Sequence, residues 1–201
     1  MADIRVCFSK MGRLQYISHL DLQRALNRML LRSGLPIGYS EGFNPHPKLN
    51  IALPLSIYQE GERELFDFRI TEDIPLDIVA EKLKAAAFTG MEIINVELAQ
   101  GKLATKQAIW RLEFITDLTA EEFKNLVSGE MLVTKRSKKG DKQVDISSMA
   151  EFLSAAPTEK GITARFKCNA AGNDYLNPAY IAQFLGEKVK LVRTIRENIL
   201  F

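Results

Sequence analysis

The 201-residue chain is predicted to fold as an α+β protein with antiparallel sheets. Two observations carry this prediction. Segments in which apolar residues alternate with polar ones are interleaved with amphipathic helical patterns. The resulting order of strand, helix, strands, helix, strand then recurs loosely in the second half, which divides the chain into domains of residues 1–100 and 101–201. At 46% apolar and 26% charged residues, the composition leaves enough apolar surface to bury a core in each.

In the first domain, Ile4, Val6 and Phe8 alternate with Arg5, Cys7 and Ser9, the period-two signal of a strand with one buried face. A helix follows. Ser18 is a suitable N-cap with Asp21 three residues on, and Leu22, Ala25, Leu26, Met29 and Leu30 form its apolar stripe until Gly34 and Pro36 end it. Residues 35–39, 49–55 and 65–70 read as strands, the last one across an acidic turn at Glu60-Gly61-Glu62. Leu76, Val79, Ala80, Leu83 and Ala87 give a second helix ended by Gly90, and residues 91–98 are strand-like. This order is the split βαββαβ of a ferredoxin-like domain, with two helices on one face of the sheet.

The second half begins after a polar connector, residues 99–106, with Ala108, Trp110, Leu112 and Phe114 on one strand face. A helix capped by Thr119, with Glu121 and Glu122 in its first turn, precedes a strand pair at residues 131–136 and 143–146. A helix near 147–155, a strand at 162–168, a helix after Asn177-Pro178 and an extended segment at 189–200 complete a tandem of ferredoxin-like domains.

Several function classes are excluded at this level. There is no apolar run long enough to cross a membrane and no signal-peptide pattern at Met1-Ala2-Asp3-Ile4-Arg5, so a cytoplasmic location without membrane association is expected. Cys7 and Cys168 form neither a disulfide framework nor a C-x-x-C pair. No phosphate loop, dinucleotide fingerprint, nucleophile elbow or paired-carboxylate motif is present. No cofactor is expected.

Charge is unevenly spread. Residues 1–50 hold seven Lys/Arg against three Asp/Glu, whereas residues 51–100 hold four against ten. On the first helix Arg24, Arg28 and Arg32 recur every four residues opposite the apolar face, with Asp21 as the only acid there. Such a row is either a solvated face or a phosphate-binding one, because the planar guanidinium suits phosphate oxygens.

Between Tyr39 and Lys48 two prolines stiffen the chain and push Asn44 and His46 towards extended conformations. Asn44, His46 and Lys48 are thereby held in a fixed arrangement, with Tyr39 and Phe43 as candidate stacking surfaces for bases. The alternative is a rigid connector with a buried Phe43.

His19 and His46 are the only histidines. Were the protein an enzyme, they would be its acid/base candidates. A zinc site would have to recruit Cys7 and Asp21 without any recognisable spacing, and no metal is expected. Lys135, Arg136, Lys138, Lys139 and Lys142 surround the turn Gly140-Asp141, where they would either grip a nucleic-acid backbone or discourage strand pairing. Arg165 and Lys167 lie outward on a strand, and Lys188, Lys190, Arg193 and Arg196 cluster near the end.

Three stretches carry a family resemblance: residues 16–22 (YISHLDL), Arg24-Ala25-Leu26 with residues 32–36 (RSGLP), and residues 39–48 (YSEGFNPHPK). Here the chain resembles the bacterial radical-SAM-linked protein family, a domain of unknown function (DUF2344), in its stand-alone form. The resemblance is dense over residues 3–60 and looser to about residue 100. It implies a radical SAM protein as partner and a role near RNA, ribosomal or transfer, in translation or RNA processing. Cys7 and Cys168 cannot supply the three clustered ligands of a four-iron cluster, so this chain would be the accessory of such an enzyme.

The expected function is a non-catalytic RNA-binding or substrate-presenting module. Arg24, Arg28, Arg32, Lys48, Lys138 and Lys139 would meet phosphates, while Tyr39, Phe43, Asn44 and His46 would meet a base or substrate. One alternative is a metal-independent endoribonuclease using His19 or His46, suggested by the tandem-domain architecture of CRISPR repeat-processing nucleases. The other is a protein adaptor that docks a radical SAM enzyme.

Overall fold

The computed structural model describes residues 2–135 and 140–201. It is an α+β protein whose sheets are antiparallel, with four α-helices among the described residues. Its chain separates into two compact units, Met1–Ala104 and Thr105–Phe201.

In the first unit, strand β1 (Ala2–Lys10) leads through a 3-10 turn (Gly12–Tyr16) into helix α1 (His19–Arg32). Strands β2 (Leu49–Ile51) and β3 (Gln59–Ile70), helix α2 (Leu76–Ala86) and strand β4 (Met91–Leu98) follow. The sheet runs β4-β1-β3, with β2 against the other side of β3. Register sets Ile4 opposite Phe68 and Val6 opposite Phe66, which puts the apolar alternates of both strands on one face. Ile4, Val6, Phe8, Phe66 and Phe68 are buried there with Leu22, Leu26, Met29 and Leu30 of α1 and Val79 and Leu83 of α2. Phe8 and Phe66 meet edge to face with ring centroids 5.4 Å apart.

The α1 reading holds to its caps: the Ser18 hydroxyl accepts from the Asp21 N–H at 3.2 Å, and Gly34, just past the helix, takes the left-handed φ of 66° that glycine adopts without a Cβ penalty. Three local readings fail. Residues 35–39 make isolated bridges at Ile37 and Tyr39 in place of a strand, because Pro36 and the turn back to Pro47 break the ladder, and of 49–55 only Leu49–Ile51 is a strand. The expected acidic turn at 60–62 is part of β3, with Gly61 opposite Lys10. Its polar residues obscured the period because their partners are internal: Lys10 Nζ donates to the Gln59 carbonyl at 2.9 Å, and Glu60 accepts from the Gly12 N–H at 2.7 Å. Helix α2 ends at Ala86, before Gly90. Gly90 instead holds a φ of 88° where a Cβ would stand 2.8 Å from the Met11 carbonyl oxygen.

The second unit contains strand β5 (Gln107–Ile115), helix α3 (Ala120–Val127), strands β6 (Leu132–Lys135), β7 (Lys142–Asp145), β8 (Ala150–Thr158) and β9 (Gly161–Asn169), helix α4 (Ala179–Leu185) and strand β10 (Lys190–Leu200). Its main sheet runs β10-β5-β9-β8, and β6 pairs with β7 alone. Thr119 and Glu122 form the reciprocal capping box of α3. Phe123 of that helix is fully buried, with ring centroids 5.5 Å from Phe114 and 6.4 Å from Phe166.

The helix expected over 147–155 is a single 3-10 turn, Ser147–Met149, followed by β8. A register shift between Phe152 and Ser154 breaks the period-two pattern and leaves Leu153 at the surface, so the strand mimics helical spacing in sequence.

Candidate functional site

The site is assembled from the end of α1 onwards. Beyond Gly34 the chain tucks Leu35 and Ile37 into the core, with Ile37 bridged to Ile70. The Gly38 N–H then donates to the Arg69 carbonyl at 2.8 Å, and the Lys48 N–H returns to the Gly38 carbonyl at 2.9 Å. Residues 40–46 therefore form a closed loop on a fixed base, with Tyr39 bridged to Pro47.

Ser40 clamps the loop. Its N–H donates to the His46 carbonyl at 2.8 Å, and its hydroxyl accepts from the His46 N–H at 3.1 Å. The same hydroxyl shares a hydrogen bond of 3.0 Å with His46 Nδ1, so Nε2 is the ring nitrogen left outside that clamp. At the tip, Phe43 is fully exposed, and Asn44 is exposed beside it. The buried-Phe43 connector is thus excluded.

His46 and Lys48 open onto a cleft of about 680 Å³ within the first unit. Gln23 of α1, Asn50 of β2, and Asp3, Asp67, Arg69 and Lys102 complete its polar wall. The acids are engaged. Arg69 Nε donates to Asp3 at 2.7 Å, and Arg5 grips Asp67 with two bonds of 2.9 Å. The Arg69 hydrogen bond holds the Asp3 carboxyl below its usual value, and the nearby Lys48 charge adds to the effect. Against those two carboxylates the lining carries three cations, Lys48, Arg69 and Lys102.

The arginine row does not line this cleft. Arg28 lies about 140° around α1 from Gln23 at 100° per residue. Arg32 donates to the Ala86 carbonyl at 2.8 Å at the end of α2, and Arg24 pairs with Asp21 at 3.0 Å. All three remain exposed. His19 is also outside the cleft: it opens α1, is half-buried, and its Nδ1 has no hydrogen-bond partner among the described residues. Burial holds its pKa below the ordinary imidazole value.

In the second unit, Lys138, Lys139 and Arg136 lie outside the described residues. Lys135 stacks over Tyr180 with its ammonium 5.4 Å from the ring centroid. Arg165 pairs with Glu197 at 2.7 Å, and Lys167 pairs with Glu151. Arg196 is fully buried, 5.2 Å over the Trp110 ring. Both thiols are buried, and burial pushes Cys168 up to about 12. No group of three or more His, Cys, Asp or Glu suited to a metal ion occurs among the described residues.

The cleft residues that sequence reasoning missed are Asp3, Gln23, Asn50, Asp67, Arg69 and Lys102. Four partners in two pairs did leave a trace: outward positions carry acid then base on β1 (Asp3, Arg5) and again on β3 (Asp67, Arg69). Antiparallel register sets each opposite its counter-charge. Gln23, Asn50 and Lys102 carry no such signal.

No curated protein matches the chain. Among solved structures it is similar to one described as "An RAMP protein binding different RNA substrates", at 11% identity over 96% of this chain and 100% of that one, with a TM-score of 0.24. Likeness at that level transfers neither topology nor ligand. The sequence match to a protein family is of another kind, for it runs from the first strand past the loop and cleft and deep into the second unit. Over residues 3–178 the chain fits the pattern of DUF2344, described as "Uncharacterized protein conserved in bacteria", and it belongs to that family.

Proposed function

We propose that the protein is a non-catalytic RNA-binding or substrate-presenting module whose first unit holds an unpaired stretch of RNA. The observation that carries this reading is the clamped loop: a fully exposed Phe43 ring stands at its tip, while His46 and Lys48 at its base open onto the cleft. An aromatic ring held in water by a rigid loop suits stacking on a base, and the surplus of cations over carboxylates in the cleft suits a phosphate. Arg24, Arg28 and Arg32 supply a second, exposed row for the backbone, while Asn44 stands beside the ring at the tip and Tyr39 at the base of the loop offers a further contact.

Each unit is inferred to have the ferredoxin-like topology, supported by the parallel strand orders β4-β1-β3-β2 and β10-β5-β9-β8. The partner is taken to be a radical SAM protein, a reading supported by the family resemblance alone.

Fluorescence anisotropy with labelled single-stranded RNA tests the proposal. Phe43→Ala or Lys48→Glu is expected to weaken binding by about tenfold, in line with the loss of one stacked base or one phosphate contact. Binding that ignores salt, or that survives both substitutions and the replacement of all three arginines by glutamate, would overturn it.

A second reading, an endoribonuclease, draws on His46 at the cleft, whose Nδ1 is held by Ser40 and whose Nε2 lies outside that clamp. Incubation with cellular RNA separates the two, since cleavage abolished in His46→Ala would favour the enzyme.

A further inference from the structure

Tyr58 departs from the ordinary backbone of its kind. It is the one residue other than glycine with a positive φ among the described residues, at 68°. Left-handed backbone is strained for a bulky side chain, so something must hold it there. The Tyr58 N–H donates to the Gln15 carbonyl at 2.7 Å, and the ring meets Tyr16 edge to face at 5.9 Å. The strain is not spent on burial: Tyr58 is 68% exposed and Tyr16 59% exposed.

We infer that the Tyr16–Tyr58 pair is a second base-stacking site for unpaired RNA, separate from the cleft. One ring braces the other edge-on, so a broad aromatic surface is presented without a flexible side chain to order. The charge nearby selects the occupant. Tyr16 closes the 3-10 turn two residues before the α1 cap, and on the helix that follows Leu20, Arg24 and Arg28 lie exposed at four-residue spacing, with Arg24 paired to Asp21. Arg28 has no ion pair among the described residues. An aromatic surface just ahead of an exposed arginine row in the chain suits a strand whose base stacks on the tyrosines while its phosphates meet the helix. The site rests on the RNA-binding reading above and extends its footprint from the cleft to the start of α1.

The test uses the full chain and a fluorescent uridine oligomer of about ten nucleotides, within the span of comparable single-strand sites. Tyr58→Gly removes the ring while relieving the backbone, and Tyr16→Ala removes its brace. Both are expected to weaken binding at least about fivefold, whereas Tyr58→Phe keeps the ring and stays within about twofold of the parent. Thermal melts of each variant establish that it is folded. Unchanged affinity in Tyr58→Gly and Tyr16→Ala, with Lys48→Glu still damaging, would overturn this site and leave the cleft reading standing. Loss in Tyr58→Phe equal to that in Tyr58→Gly would also overturn it, by pointing to the hydroxyl. A wild-type protein that binds no RNA at low salt defeats both readings together.

Discussion

Phe43, Tyr58, Asp67 and His19 show how one side chain's surroundings decide whether it serves the fold or stands exposed to solvent. Phe43 contributes nothing to packing, so Phe43→Ala should leave the denaturation midpoint unchanged while lowering RNA affinity. Tyr58→Gly exchanges left-handed strain of ~1–3 kcal/mol for glycine's entropic cost of ~0.5–1 kcal/mol. The lost edge-to-face contact with Tyr16, worth ~0.5–1.5 kcal/mol, offsets this, so urea melts should stay within about 1 kcal/mol of the parent.

Asp67 and Asp3 differ in burial. The side chains of Arg5 and Asp67 are 12% and 16% exposed, against 38% and 48% for Arg69 and Asp3. Asp67→Asn should cost about 2 kcal/mol, and Asp3→Asn at most about 1 kcal/mol after solvent screening.

His19 has a folded pKa depressed below the unfolded value of 6.5. As pH falls through that value the unfolded chain takes up a proton that the folded chain resists, so stability is full above it and declines below it. Chemical melts from pH 7.5 to 5 should show this decline, and His19→Gln should flatten it.

At the scale of elements, caps and clamps matter more than propensity. Ser18→Ala removes the N-cap of α1 and should cost about 1 kcal/mol. Gly90→Ala should cost more than about 1 kcal/mol, because the new Cβ meets a backbone oxygen that has no room to move. Ser40→Ala acts differently. It frees His46 without touching the core, so RNA affinity should fall several-fold while the melting midpoint barely moves.

The elements also show why some local patterns misled. Helix α1 was legible because its cap, stripe and stop are all set by neighbours in sequence. Strand β3 was legible only from residue 65, since its first residues are polar and gain partners from β1 and the turn after it. Strand β8 carries a bulge that shifts its face midway, and no local period survives that.

For the whole molecule, the chief expectation concerns salt. If a single strand releases counterions at about three phosphate contacts, the logarithm of its binding constant should fall with the logarithm of salt at a slope of roughly −2. Lys48→Glu together with Arg28→Glu should flatten that slope by about one or more, whereas Phe43→Ala should lower affinity without changing it. Titrations at several potassium chloride concentrations separate phosphate contacts from base contacts in this way.

What the sequence alone determined is what short stretches of chain decide: the mixed α+β class, the capped helix α1, the stiff loop with Asn44, His46 and Lys48, and the family to which these residues point. Capping, proline geometry and apolar period act within a few residues, so they are written locally. Only the tertiary structure decided which side chains share a surface. Antiparallel register set Arg5 and Arg69 against their carboxylates, helix rotation turned Gln23 to the cleft and the arginine row away from it, and a long-range hydrogen bond from Tyr58 to Gln15 placed two tyrosines together. Each depends on pairings between distant segments, whose energies no local pattern encodes.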